Sequence, residues 1–150
     1  MSGRMYSHVM TATLSASVSI SDNTATTLAF NSLGTGRSAY FDSTNHKCSP
    51  DKDGWYKVKL VVQVNGHASD TYLKTTLKVY KNTSTEVEQR LFDVAQAAGT
   101  ITHTFEMETA PLYLTRDDTV WGQITIDGDN SGKKLLVHGA TKTFISLYYY

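Results

Sequence analysis

One cysteine, Cys48, and two prolines are all that the 150 residues contain of either type. A lone thiol excludes an intrachain disulfide and a thiolate metal site within one chain, and it is compatible with a reducing compartment. Excess charge of one sign is also missing. The 14 basic residues balance 14 acidic ones, so no long-range field recruits nucleic acid or an anionic membrane. Basic patches interleaved with aromatics, the mark of nucleic-acid grooves, do not occur. No window approaches the ~20 apolar residues of a membrane-spanning helix, and the start, Met1 to His8, lacks the apolar core of a secretory signal. The expectation is a chain made and kept soluble, with no cofactor, no nucleic-acid partner and no membrane partner.

Catalytic patterns are equally scarce. The five histidines, His8, His46, His67, His103 and His138, share no ligand spacing and have no spaced nucleophile or acid. A protein that is not an enzyme, with no catalytic residues, is expected.

What is abundant is alternation. Nine tyrosines and many threonines favour pleated, half-buried surfaces. Tyr6, His8, Met10, Ala12, Leu14, Ala16, Val18 and Ile20 fall on one face, against Ser and Thr on the other. This predicts an extended arm or first strand over 1–20, with 1–10 more arm-like and 14–20 more strand-like. Further strands are predicted over 26–32, over Trp55–Val64, where Tyr56, Val58, Leu60, Val62 and Val64 share a face, and over 70–81. Others fall at Ile101–Met107, Val120–Ile126, Lys134–His138 and Thr141–Tyr150. Segment 85–98 has apolar residues at helical spacing over too short a span to matter and reads as strand. Asn65-Gly66 is a turn signal, and Asn82-Thr-Ser84, although an acceptor pattern for N-glycosylation, also reads as a turn. The stretch 127–132 offers Asp127 and Asp129 at the spacing of the first half of a calcium loop. Position twelve is His138 rather than Glu, so a plain hairpin connection with no metal is the preferred reading. Eight to ten strands with almost no helix predict one all-β, two-sheet sandwich or barrel over 21–150. A chain of this length buries about 70% of its unfolded surface without further help.

Several residues then line up with a known family. Leu28-Ala-Phe30, Tyr40-Phe-Asp42, Pro50 followed by Gly54 and Tyr56, Val79-Tyr-Lys-Asn82, Leu112 through Asp118, Val120 and Trp121, and the closing strand with Phe144 occur in a shared order. Over about residues 26–148 the sequence resembles the jelly-roll heads of the tumour necrosis factor and complement C1q superfamily. Asp117 stands where that pattern has Gly, and Ser146 where a Gly is common. The resemblance implies an antiparallel jelly roll and a homotrimer, for which Tyr56, Val58, Tyr148 and Tyr150 are the expected interface core. Trp55 and Tyr56 point to opposite faces, so one should be internal and the other external.

Function is expected to be structural. The leading expectation is a virion protein made in the host cytoplasm. It would be a trimeric capsid decoration, cement or head-fibre protein that docks on the major capsid protein through an arm carrying Tyr6, His8, Met10 and Leu14. The alternative is a receptor- or glycan-binding tip that uses loops 43–54, 65–71 and 127–134 on a host surface glycan. A secreted ligand is disfavoured by the missing signal and disulfide.

Overall fold

A computed structural model describes residues 6–65, 72–95, 102–128, 134–137 and 142–150, the segment 134–137 by its backbone alone. The N-terminal region is not one strand. It divides into β1 (Ser7–Thr13) and β2 (Val18–Ser21), with Ala16 exposed in the break. The predicted strand over 26–32 likewise resolves into β3 (Thr26–Thr27) and β4 (Ser32–Thr35). A single 3-10 turn, Ser38–Tyr40, precedes β5 (Phe41–Asp42) and β6 (Lys47–Cys48).

The apolar alternation after Gly54 becomes the longest strand, β7 (Gly54–Asn65), followed by β8 (Tyr72–Lys81) and β9 (Thr85–Ala95). β8 and β9 form a hairpin whose corner is Asn82, in the left-handed region at φ 56°. Asn tolerates that conformation, so the Asn82–Ser84 turn is as predicted. The chain closes with β10 (Thr102–Glu108), β11 (Leu112–Leu114), β12 (Val120–Gly128), β13 (Lys134–Val137) and β14 (Phe144–Tyr149).

Every strand pairing is antiparallel, and two sheets result. The eight-stranded sheet runs β2-β13-β7-β14-β1-β4, with β10 and β11 on the free side of β7. The six-stranded sheet runs β5-β6-β12-β8-β9, with β3 beside β12. One sequence expectation fails here. β12 and β13 belong to different sheets, so they do not form the predicted hairpin. β7 and β8 are likewise in opposite sheets, and Gly66 of the predicted turn lies outside the described residues. Turn residues report that the chain reverses, not which strand it meets next.

Between the layers, Val58, Leu60, Val62, Ile145 and Leu147 of one sheet pack on Leu73, Leu77, Ile124 and Ile126 of the other. At Gly122 a side chain would meet Leu60 Cδ1 at 3.2 Å, so a residue without Cβ lets the sheets approach there. This interlayer burial is the dominant stabilising term.

A bulge between His8 and Met10 decides the fate of the N-terminal residues. His8 pairs with Tyr148 and Met10 with Leu147, so the extra residue, Val9, turns the following alternation inward. Met10, Ala12 and Leu14 are core residues, while Tyr6 and His8 stay on the outer side. The predicted docking arm is therefore corrected. β1 is held between β14 and β4, and Met10 and Leu14 have no surface to offer a capsid.

Candidate functional site

The two predicted interface residues on β7 are likewise internal. Tyr56 and Val58 are fully buried within the protomer and cannot form the core of a contact between copies, which corrects that assignment. Trp55 is the external member of its pair, half exposed. Tyr56 is held by its own neighbourhood: its hydroxyl donates to the Lys52 carbonyl at 2.5 Å and to Asp51 Oδ1 at 3.2 Å. Its ring meets the Tyr149 ring edge-on at 5.2 Å. Burial pushes the phenol's pKa upward, so it remains a donor. Gly54 lies under Tyr149, where a Cβ would sit 2.7 Å from the ring. Pro50 is buried just before this corner.

The other motif residues form a second structural knot. Asn82 Nδ2 donates to Asp118 Oδ1 at 2.9 Å, and the Thr115 N–H donates to Asp118 Oδ2 at 2.8 Å. The Trp121 indole N–H donates to the Asn82 carbonyl at 2.7 Å, and its ring stacks on Tyr80 at 4.4 Å. Partial burial raises the pKa of the Asp118 carboxyl, but the hydrogen bonds from Thr115 and Asn82 and the Lys81 ammonium outweigh that and hold it below the usual carboxylate range. Val120 is core, and Phe144 is half-buried on the outer side. These residues build the β8–β12 corner rather than a reactive site.

The histidines do not converge. His8 Nε2 meets Thr11 Oγ1 at 2.7 Å, and His46 Nδ1 meets the Phe30 carbonyl at 2.8 Å. His103 stacks on Phe105, while His67 and His138 lie outside the described residues. Asp127 sits in β12 opposite Lys74, and Asp129 falls outside the description. Among the described residues no group of three His, Cys, Asp or Glu side chains could hold a metal. Cys48 is buried, which pushes its thiol pKa up to about 12, so it is no nucleophile.

What the structure does bring together is the outer face of the eight-stranded sheet. At one end four aromatics cross four segments in register. Tyr113 pairs with Trp55, with ring centroids 5.6 Å apart. The Tyr150 N–H donates to the Trp55 carbonyl at 2.8 Å, and the Tyr150 ring lies 4.8 Å from Tyr6. In the next row Lys57, Tyr148 and His8 stand side by side. Lys57 bonds Glu108, which raises the pKa of its ammonium, and lies over the Tyr6 ring at 4.5 Å. Beyond β14 the face carries no charged residue among the described residues. A shallow cleft of about 430 Å³ there is lined by Thr11, Thr13, Thr35, Phe144, Ser146 and Tyr148. Thr11 and Ser146 share a 2.6 Å hydrogen bond.

Of the predicted interface residues, Tyr148 and Tyr150 do lie on this face. Tyr113 and the tyrosine–histidine row were missed. The outward phases of β7 and β14 were readable, but which strands bring them together was not.

No protein-family model matches the sequence, and no curated protein does. Solved structures share the fold. The globular domain of zebrafish complement 1qA protein aligns with a TM-score of 0.58, covering 93% of this chain and 94% of that one at 13% identity. The Eiger TNF from S. frugiperda gives 0.60, covering 96% of this chain and 93% of its own at 12% identity. At such identities the likeness is one of architecture, an antiparallel two-sheet jelly roll of the tumour necrosis factor and C1q type.

Proposed function

We propose, starting from this shared jelly roll, that the protein is a non-catalytic module that assembles with itself, as a homotrimer, through the outer face of its eight-stranded sheet. In the finer reading the trimer is a virion structural protein, a capsid decoration, cement or short head-fibre protein made in the host cytoplasm and docked on the major capsid protein. The observation that carries the assembly reading is the asymmetry between the two outer faces. The six-stranded sheet presents Lys74, Lys78, Glu86, Asp93 and Asp127 outward, as a solvated face should. The uncharged half of the other sheet presents threonines, Phe144 and Tyr148. Depletion of charge with enrichment of tyrosine marks a surface that a partner covers.

With Met10 and Leu14 inside the core, docking on a lattice falls to a different element. β9 pairs on one side only among the described residues, and its Leu91 is 68% exposed. Such an edge accepts a strand from a neighbouring protein. A second reading, a receptor- or glycan-binding tip, is favoured by Trp55 and Tyr113, whose adjacent rings are 50% and 48% exposed and offer faces on which sugars stack.

Light scattering at micromolar concentration tests the assembly. Three protomers are expected, and Tyr148→Asp should reduce the mass while leaving the strand spectrum intact. A monomeric parent protein would overturn the proposal. Co-sedimentation of the parent trimer with its virus's capsids is expected for decoration. Failure to pellet, together with host-cell binding that Trp55→Ala abolishes, would select the second reading.

A further inference from the structure

A polar cleft of about 430 Å³ opens where the start of β1, the loop before β5, the loop before β7 and the end of β14 meet. Its walls are pre-set by contacts that do not depend on any ligand. Gly36, at φ +100°, rests against β1 so closely that a Cβ would lie 2.7 Å from Met10 Cβ and the Val9 carbonyl oxygen. That fixes the backbone that presents Arg37. The following turn is closed by the Tyr40 N–H on the Arg37 carbonyl at 3.0 Å and tied down by the Ser49 N–H on the Tyr40 carbonyl at 2.8 Å. Across the cleft, the buried Tyr56 hydroxyl grips both the Lys52 carbonyl and the Asp51 carboxylate. The Lys52 ammonium is parked 4.0 Å from the centre of the Tyr149 ring. Neither Arg37 nor Lys52 forms an ion pair among the described residues.

We infer that this cleft binds a small molecule bearing one carboxylate on a hydroxylated ring, the chemistry of an acidic sugar. Arg37 offers a planar fork that suits a carboxylate, and Lys52, in the same wall, a second positive charge. Asp51, already committed to Tyr56 through one oxygen, repels a bare multivalent anion and accepts from ligand hydroxyls. The Tyr40 side chain, also in the wall, supplies an apolar flank for a sugar ring. Two cations and one acceptor in the same wall suit a ligand that carries both an anionic group and hydroxyl donors. Because the backbone of the walls is already held, the ordering that binding demands is confined to side chains such as that of Arg37. The cleft shares no lining residue with the Trp55–Tyr113 pair, and it gives the ligand-binding reading a defined chemistry.

The test titrates the full chain with glucuronate, with glucose as the neutral ring, and with inorganic sulfate, followed by calorimetry or amide chemical shifts. Glucuronate should saturate, and glucose should not bind. The double variant Arg37→Ala/Lys52→Met should weaken glucuronate by at least about tenfold, or 1.4 kcal/mol. The methionine keeps an apolar stem against Tyr149, and a circular dichroism spectrum equal to the parent's shows that the variant is folded. Lys78→Met, which removes a charge from the opposite sheet, should bind glucuronate as the parent does. Unchanged affinity in the double variant, equal binding of glucose, or sulfate as tight as glucuronate (an adventitious ion only) would each overturn the inference. Light scattering on the same samples reports assembly separately, so a monomeric protein that still binds glucuronate refutes the trimer and not this site.

Discussion

At the scale of single residues, the positions that the family pattern singles out do structural rather than chemical work. Asp118 is one of them. Its folded carboxyl titrates below the unfolded value of about 3.9, so the stability that it contributes is complete above that pH and is lost as pH falls through the folded value. Asp118→Asn should therefore lower stability at pH 7 by about 1–3 kcal/mol, because Lys81 loses its charged partner and one acceptor becomes a donor. Below pH 4 the gap between parent and variant should narrow. Urea midpoints measured from pH 3 to 7 check this, and parallel curves would refute it. Gly54, the first residue of β7, stood out in the sequence only as part of the family motif. The physical reason is the Tyr149 ring that a side chain would strike, and that ring arrives from 95 residues downstream in sequence, out of reach of any local pattern.

Among the elements, strand periodicity was readable and strand partnership was not. The alternation Tyr56 to Val64 located β7 to within a residue, since a face of five apolar side chains has no other way to be buried. The N-terminal alternation misled because one bulge residue moves every later side chain to the opposite face. His8 and Met10 share a phase in sequence and lie on opposite sides of the sheet. What secures β1 on its outer edge is β4 and the loop beyond it, where Gly36 touches Met10 directly. Gly36→Ala combines a disfavoured backbone angle with a clash against main-chain atoms, so it should cost about 1–3 kcal/mol. A chemical-denaturation midpoint equal to the parent's would show that this loop yields freely. The same variant should also weaken glucuronate, since it displaces Arg37.

For the whole molecule, the question is what lies over the uncharged half of the eight-stranded sheet. If sister protomers cover it, folding and association are linked, and the melting temperature must rise with protein concentration. Differential scanning fluorimetry over a hundredfold dilution series should show that slope in the parent and lose it in Tyr148→Asp. A flat dependence in the parent would count against the linkage. The residues alone were enough to determine an all-β, two-layer chain and the phase of its central strands, because burial demands period-two alternation wherever a sheet has one wet side, while the jelly-roll class came from the resemblance of its motifs. Of the four interface residues that the resemblance implied, Tyr148 and Tyr150 lie on the outer face. Only the tertiary structure decided that Tyr56, Val58, Met10 and Leu14 are interior, that β12 and β13 lie in different sheets, and that Arg37, Asp51 and Lys52 line one cleft. Those outcomes depend on which distant strand each segment meets and on a single inserted residue in the pairing. Both are settled by long-range packing, which leaves no trace in any local run of amino acids.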